Sequence, residues 1–180
     1  MRVVKYFIVI AVALLAAAII YIYAGIYPMG ADVPHNKLSY WLLETVREQS
    51  VASASKDIRV PALDDPELLL AGGADYNDMC TACHLKPGQE QSDMSIGLYP
   101  KPPNLSLKTK GHGDAVQNSR RQFWIIKHGI KASGMPAWGP THDDERIWAM
   151  VAFLQKLPEL TPLQYQIVTA RNSSSTQPHH

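Results

Sequence analysis

Five consecutive residues, Cys80-Thr81-Ala82-Cys83-His84, carry the strongest signal in this sequence. On a helix, cysteines three positions apart place their thiols one turn apart on the same side. The histidine that follows adds an imidazole beside them. Two thiols and an adjacent imidazole can form two thioether bonds to a porphyrin and one axial bond to its iron. The motif therefore predicts one covalently bound haem c, held by Cys80, Cys83 and His84.

Other kinds of site that use paired cysteines need further residues, which this chain does not have. The chain has only two cysteines, so there is no second pair to complete a structural zinc site. A thioredoxin-like thiol pair requires a βαβ context, and no strand pattern stands out. Two cysteines this close in sequence cannot build a disulfide framework.

The far side of the iron requires a second ligand from elsewhere in the chain. Met135 is the leading candidate, because Gly134 and Pro136 preset a tight turn that can present its thioether. The alternatives are His128 as the ligand, and Met135 as an ordinary buried turn methionine. An iron with both axial positions filled has no open site for a substrate, which favours electron transfer over catalysis or gas sensing.

The N-terminal segment has the composition of a membrane anchor. Arg2 and Lys5 precede an uncharged run from Tyr6 to Tyr27, which as a helix would span ~33 Å, enough to cross a bilayer core. This exceeds the roughly 7–15 apolar residues of a cleavable signal peptide. A retained single-pass anchor is therefore predicted over residues 1–28, with cleavage near Gly30-Ala31 as the alternative.

The charges around this segment set its orientation. The basic N-terminal flank predicts that the N-terminus is cytoplasmic and that the rest of the chain lies outside. In a bacterium this places the haem domain on the periplasmic side of the cytoplasmic membrane. The whole-chain net charge of +1 gives no indication of nucleic-acid binding.

Basic side chains concentrate between residues 101 and 131. They predict either a basic rim that steers an acidic partner, or an ordinary solvated surface. The residues are Lys101, Lys108, Lys110, Arg120, Arg121, Lys127 and Lys131, with Asp114 as the acidic exception.

Helical patterns account for most of the remaining chain. Apolar residues at three- and four-residue spacings predict a helix from Lys37 to about Ser50, followed by a linker to Lys56. This helix would lie on its own domain, or dock on a partner subunit or the membrane surface. The expected divisions are an anchor (1–28), an amphipathic helix and linker (29–65), a haem domain (66–160) and a flexible tail (161–180).

Three helices are expected within the haem domain. One begins at Pro66, with Asp65 as its cap, and runs toward Met79. Another spans Arg120 to about His128, and the last spans about Asp143 to Leu157. Residues 85–118 have the composition of a long loop.

The stretch from about Pro66 to Leu157 resembles a class I c-type cytochrome. The matching features, in the family's order, are a glycine-bearing helix leading into the Cys80–His84 motif, then Pro103-Asn104-Leu105, the Met135 loop and a final aromatic helix. The resemblance implies an all-α class I cytochrome c fold around one haem. It also implies that the Pro103 carbonyl accepts the other N–H of the axial His84, and that Met135 is the second ligand.

The resemblance further implies a one-electron carrier of a membrane-bound redox chain, such as a respiratory chain, rather than an enzyme. The alternative is a dedicated haem c subunit of a larger membrane oxidoreductase or terminal oxidase. A haem-based sensor or peroxidase-type enzyme is the third possibility. The expected partners are redox proteins, with an acidic docking face or as parts of a membrane complex, and membrane lipid through the anchor.

Overall fold

The computed structural model describes residues 2–108, 113–131 and 133–170. These residues divide into two units, one ending at Val33 and the other beginning at Pro34. All their regular elements are helical, with no strand among them, and the expected all-α class is confirmed. The helices are α1 (Arg2–Tyr23), α2 (Lys37–Ser55), α3 (Pro66–Met79), α4 (Thr81–His84), α5 (Asp93–Gly97), α6 (Ala115–His128), α7 (Asp144–Lys156) and α8 (Pro162–Thr169).

The first unit consists of α1 and the residues that follow it. This helix of 22 residues has no buried side chain. Within the described part of the chain, it alone is long and apolar enough to cross a membrane. Its length and composition fit a single-pass membrane anchor.

The second unit is organised around the contact between α3 and α7. A Cβ atom added to Gly72 would lie 1.9 Å from the Ala149 carbonyl oxygen, so a hydrogen atom is the only side chain that lets the two backbones meet. On α7, Ile147, Val151 and Phe153 are each 0% exposed. The contact therefore fixes α3 firmly, and α3 leads directly into the Cys80–His84 motif.

An ion pair and an aromatic cluster stabilise the same contact. The Arg146 guanidinium on α7 donates to both carboxylate oxygens of the buried Asp75 on α3, from Nε at 2.6 Å and from Nη2 at 2.8 Å. These bonds raise the pKa of Arg146 above its ordinary value. The Tyr76 ring lies 5.3 Å from the Phe153 ring and 6.5 Å from the Tyr165 ring, between centroids. Polar and apolar contacts thus hold one helix crossing together.

The expected flexible tail over 161–180 is wrong for its first part, because Pro162–Thr169 form α8. The Thr161 hydroxyl accepts from the Gln164 N–H at 3.3 Å, and the Gln164 side chain accepts from the Thr161 N–H at 2.9 Å. This reciprocal cap begins the helix. Tyr165 is only 3% exposed, and its burial attaches α8 to α3. The last ten residues lie outside the described part of the chain.

The helix α2 is longer than its sequence pattern indicated. It was expected to end near Ser50 and give way to a linker, but it continues to Ser55 because Val51 and Ser55 are buried. On the adjoining helix α6, the Arg121 Nη2 lies 2.5 Å from the Glu48 Oε2. The second half of α2 therefore packs on its own domain, as one of the two expectations for this helix stated.

Residues 85–118 were expected to form a long loop. This segment instead contains a short helix, and the next helix begins before residue 118. Residues Asp93–Gly97 form α5, capped by Ser92. The next helix, α6, begins at Ala115 instead of Arg120, because the Asp114 side chain accepts the Gln117 N–H at 2.7 Å.

We predict that Gly72→Ala lowers the free energy of unfolding by about 3 kcal/mol, because the added methyl group must displace the backbone of α7. Thermal unfolding of the haem-loaded protein measures this loss. The matched control is Gly97→Ala, where the added methyl group meets no atom within 4 Å. Equal stability of the two variants would contradict the proposed backbone contact.

Candidate cofactor site

The two cysteines lie at the junction of α3 and α4. The Cys80 N–H donates to the Tyr76 carbonyl at 2.9 Å, which completes the last turn of α3. The Cys80 carbonyl then accepts the N–H groups of Cys83 at 3.2 Å and His84 at 2.8 Å. No disulfide joins the two cysteines, and both are partly buried. The two cysteines and the histidine are thus held on one short hydrogen-bonded turn.

The backbone after His84 is held in an uncommon conformation. Leu85 has φ of +66°, which is costly for a residue with a side chain. Its side chain is 2% exposed, so burial favours this conformation. The Tyr76 hydroxyl donates to the Leu85 carbonyl at 2.7 Å, with a longer contact of 3.2 Å to the His84 carbonyl. The Leu105 N–H also donates to the His84 carbonyl, at 3.1 Å. Several independent contacts therefore fix the backbone that carries His84.

The His84 ring is oriented by a backbone carbonyl. Its Nδ1 lies 2.9 Å from the Pro103 oxygen. A carbonyl can only accept, so this contact requires the proton on Nδ1 and leaves the lone pair on Nε2. Burial lowers the pKa of His84, and the hydrogen bond to Pro103 opposes that shift. The result favours a neutral imidazole with Nε2 available to a metal.

The environment of Cys80 argues against thiolate chemistry. Burial raises the pKa of Cys80 to about 12, with a further contribution from the nearby Asp75 charge. A thiol-disulfide or zinc site instead requires a thiolate. In the part of the chain that the structure describes, no three Cys, His, Asp or Glu side chains come together as a metal site.

Met135 lies in a turn that packs against the end of α6. The Met135 carbonyl accepts the Ile130 N–H at 3.2 Å, and the Met135 N–H donates to the Ser133 hydroxyl at 3.1 Å. Gly129, at φ of +65°, permits this approach, since a Cβ there would lie 2.7 Å from the Met135 carbonyl oxygen. The Met135 side chain is partly buried against the same apolar core that Cys80 borders. Its role as an iron ligand stays a prediction.

His128, the alternative ligand, is placed differently. It is exposed at the last position of α6. Its ring lies 4.9 Å from the Trp124 ring, between centroids. It is not part of the core that both Cys80 and Met135 border, so the geometry favours Met135 over His128.

The predicted basic rim is smaller than the sequence indicated. Arg121 is only 6% exposed and pairs with Glu48, so it cannot contribute to a docking surface. Arg120 donates to the Lys56 carbonyl at 2.7 Å. Lys127 pairs with an Asp144 oxygen at 2.5 Å. Of the other members, Lys101, Lys108 and Lys131 are exposed, and Lys110 lies outside the described residues.

Comparison with known families agrees with this geometry. Residues 67–154 match the family described as cytochrome c oxidase, cbb3-type, subunit III. These residues form a class I cytochrome c domain. No curated protein and no solved structure matches the chain. The matched range includes the Cys80–His84 motif, Pro103, Met135 and most of α7.

A cytochrome c domain carries covalently bound haem c, and the residues present fit that group. Cys80 and Cys83 would form the thioethers, and His84 would bind the iron through Nε2. When bound, haem supplies one-electron exchange at its iron. The chain's own contribution is positional: the Pro103 carbonyl fixes the His84 ring, while Tyr76 and Leu105 fix its backbone. Such hydrogen bonds to a ligand orient it and increase its basicity.

The supporting contact from Tyr76 was not predicted from the sequence. Tyr76 lies four residues before the first cysteine and is 1% exposed. Nothing in the pattern indicates that its hydroxyl reaches a carbonyl nine residues further along the chain. That contact depends on the backbone at Leu85, where a leucine and not a glycine has a positive φ.

We predict that Tyr76→Phe lowers the free energy of unfolding by about 1–3 kcal/mol, because it leaves a buried carbonyl without its donor. Thermal unfolding measures the loss. The control is Tyr165→Phe, which removes a hydroxyl bonded to the partly exposed Asn77 side chain at 3.1 Å. That amide can turn to water, so a smaller loss is expected. A larger effect in the control would contradict the assigned role of Tyr76.

Proposed function

We propose that this protein is a one-electron carrier of a membrane-bound redox chain, tethered by α1 with its haem c on the periplasmic side of a bacterial cytoplasmic membrane. Its single Cys-x-x-Cys-His motif supports one haem. Residues 1–28 serve as the anchor. The haem domain extends at both ends past its expected limits of 66 and 160, because α2 packs on α6 and α8 packs on α3.

The observation that carries this proposal is the His84–Pro103 hydrogen bond of 2.9 Å beside the cysteine pair, within a domain of the cytochrome c family. It supports His84 as a firmly oriented axial ligand. We assign the second axial position to Met135, in its turn against Gly129. An iron held by both residues has no open position, which supports electron transfer and argues against a sensor or a peroxidase-type enzyme.

A second function, a dedicated haem subunit of a membrane oxidoreductase or terminal oxidase, is favoured by the family match itself. The matched family is described as a subunit of the cbb3-type oxidase. Both functions use the same haem domain and the same direction of tethering. They differ in whether the protein stays bound to a larger complex or diffuses in the membrane between partners.

We predict that Met135→Ala opens one side of the iron. Ferrous wild-type protein at neutral pH should not bind carbon monoxide, whereas the variant should bind it readily, and its reduction potential should fall with loss of the thioether. Absorbance spectra of the ferric and ferrous forms measure both ligation and binding. The control is Met94→Ala, because Met94 is 51% exposed on α5. Ready carbon monoxide binding by the wild-type protein would contradict ligation by Met135.

We predict that the mature protein keeps its N-terminal segment. Mass spectrometry of the detergent-extracted protein should give the mass of a chain that includes residues 1–28 with one haem, because the segment spans the bilayer. A chain that begins near Ala31 would contradict the anchor. Stoichiometric co-purification with other membrane subunits would support the oxidoreductase subunit, and a free monomer would support the mobile carrier.

A further inference from the structure

The first half of α2 exposes an apolar surface that none of the described residues of its own domain covers. The buried residues of this helix, Val51 and Ser55, lie in its second half. The first half exposes six large apolar side chains. They are Leu38 at 71%, Tyr40 at 44%, Trp41 at 62%, Leu42 at 53%, Leu43 at 53% and Val46 at 59%. We call this set the α2 apolar surface.

The geometry of the helix aims the aliphatic part of this surface away from the domain, whereas Tyr40 and Trp41 lie toward the side of Val51 and Ser55. Leu38, Leu42 and Val46 follow one another at four-residue steps and so form one ridge. At 100° per residue, this ridge is separated by about 140° to 180° from the direction of Val51 and Ser55, which face the domain. Burial of one face by the domain thus leaves the other face available to something else.

We propose that the α2 apolar surface inserts into the interfacial region of the lipid bilayer. This inference rests on the proposed function, since it requires that α1 is retained as an anchor. Only 13 residues, 24–36, connect α1 to α2. A connection this short keeps α2 at a high effective concentration near the membrane, so that a contact too weak for a free helix becomes stable.

The composition of the surface also fits lipid. Trp and Tyr prefer the zone between headgroups and acyl chains, and leucine side chains prefer the acyl chains beneath. From Leu38 to Leu43 the helix carries no charged residue. The first charges after it are paired: the Arg47 Nη2 lies 2.5 Å from a Glu44 oxygen and 3.0 Å from a Glu48 oxygen. The exposed Lys37 at the start of the helix has a long side chain that can extend to the headgroups. Insertion therefore costs little desolvation of charge and needs no anionic lipid.

The attachments of α2 give this insertion a consequence for the haem domain. Just before the helix, the His35 N–H donates to the Tyr99 hydroxyl at 3.2 Å, and the two rings lie 5.2 Å apart. In its second half, Glu48 is bound by Arg121 of α6. Because the helix is held to the domain at both ends, seating it in the membrane fixes the orientation of the haem domain as well as its distance.

The experiment uses the full-length, haem-loaded protein in vesicles of phosphatidylcholine alone. Both natural cysteines are taken up by the haem, so Leu42→Cys introduces one free thiol for a nitroxide spin label. The matched control is Ala54→Cys, an exposed position in the second half of the same helix that points about 120° away from Leu42. Collisions of each label with oxygen, which concentrates in lipid, and with a water-soluble nickel complex are measured by power saturation.

We expect the label at position 42 to lose its accessibility to the nickel complex and to remain accessible to oxygen, whereas the label at position 54 stays accessible to nickel. Equal access of nickel to both labels would overturn the inference. Protection of position 42 from both relaxants would also overturn it, because it would mean that a second copy of the chain covers the surface.

A further arm separates this inference from the proposed function. Vesicles are floated on a density gradient before the measurement. Protein that does not float with lipid contradicts the anchor and therefore the proposed function. Protein that floats, but in which the label at position 42 stays accessible to the nickel complex, contradicts only the insertion of α2 into the bilayer.

Discussion

The contact between the backbones of α3 and α7 at Gly72 is the constraint on which the haem domain depends. Without a side chain at that position, the carbonyl of Ala149 can reach the α3 backbone. The Asp75–Arg146 ion pair and the Tyr76–Phe153 ring contact then form one helical turn further along α3. A shift of either helix would disturb all three interactions together, so the crossing behaves as one cooperative unit.

This crossing also determines where the cofactor residues lie. Tyr76 belongs at once to the aromatic cluster of the core and to the hydrogen bonds that hold the turn after His84. A single side chain thus connects the packing of the domain to the orientation of its axial histidine. In another part of the domain, Gly129 allows the Met135 turn to pack directly on the end of α6. Both segments are supported by backbone contacts, which deform less than contacts between long side chains.

Much of the fold could be predicted from the sequence because its signals are local. The Asp65-Pro66 start of α3 and the cysteine motif depend on neighbouring residues, and α3 begins where it was expected to begin. The errors arose where tertiary burial decides the outcome. Residues Ser50–Ser55 are small and polar, as in a linker, yet they remain helical because α6 covers Val51 and Ser55.

The charged residues show the same limit of prediction from sequence at the candidate cofactor site. Seven basic residues between positions 101 and 131 indicated a docking rim, but sequence spacing does not reveal which of them find partners inside the fold. Arg121 is buried against Glu48, which is far away in sequence. By contrast, the predictions for the cysteine motif and for Met135 used only short spacings and the known chemistry of haem ligands. The Tyr76 contact needed the folded turn at Leu85 and could not be foreseen.

The segment between α1 and α2 makes the haem domain separable from its anchor. Residues 24–36 contain no helix, and most of them are exposed. The boundary between the two units falls within this segment. One peptide-bond cleavage there would sever α1 without breaking any element of the haem domain. Limited proteolysis within this segment would therefore release the haem domain from α1 as an intact folded unit.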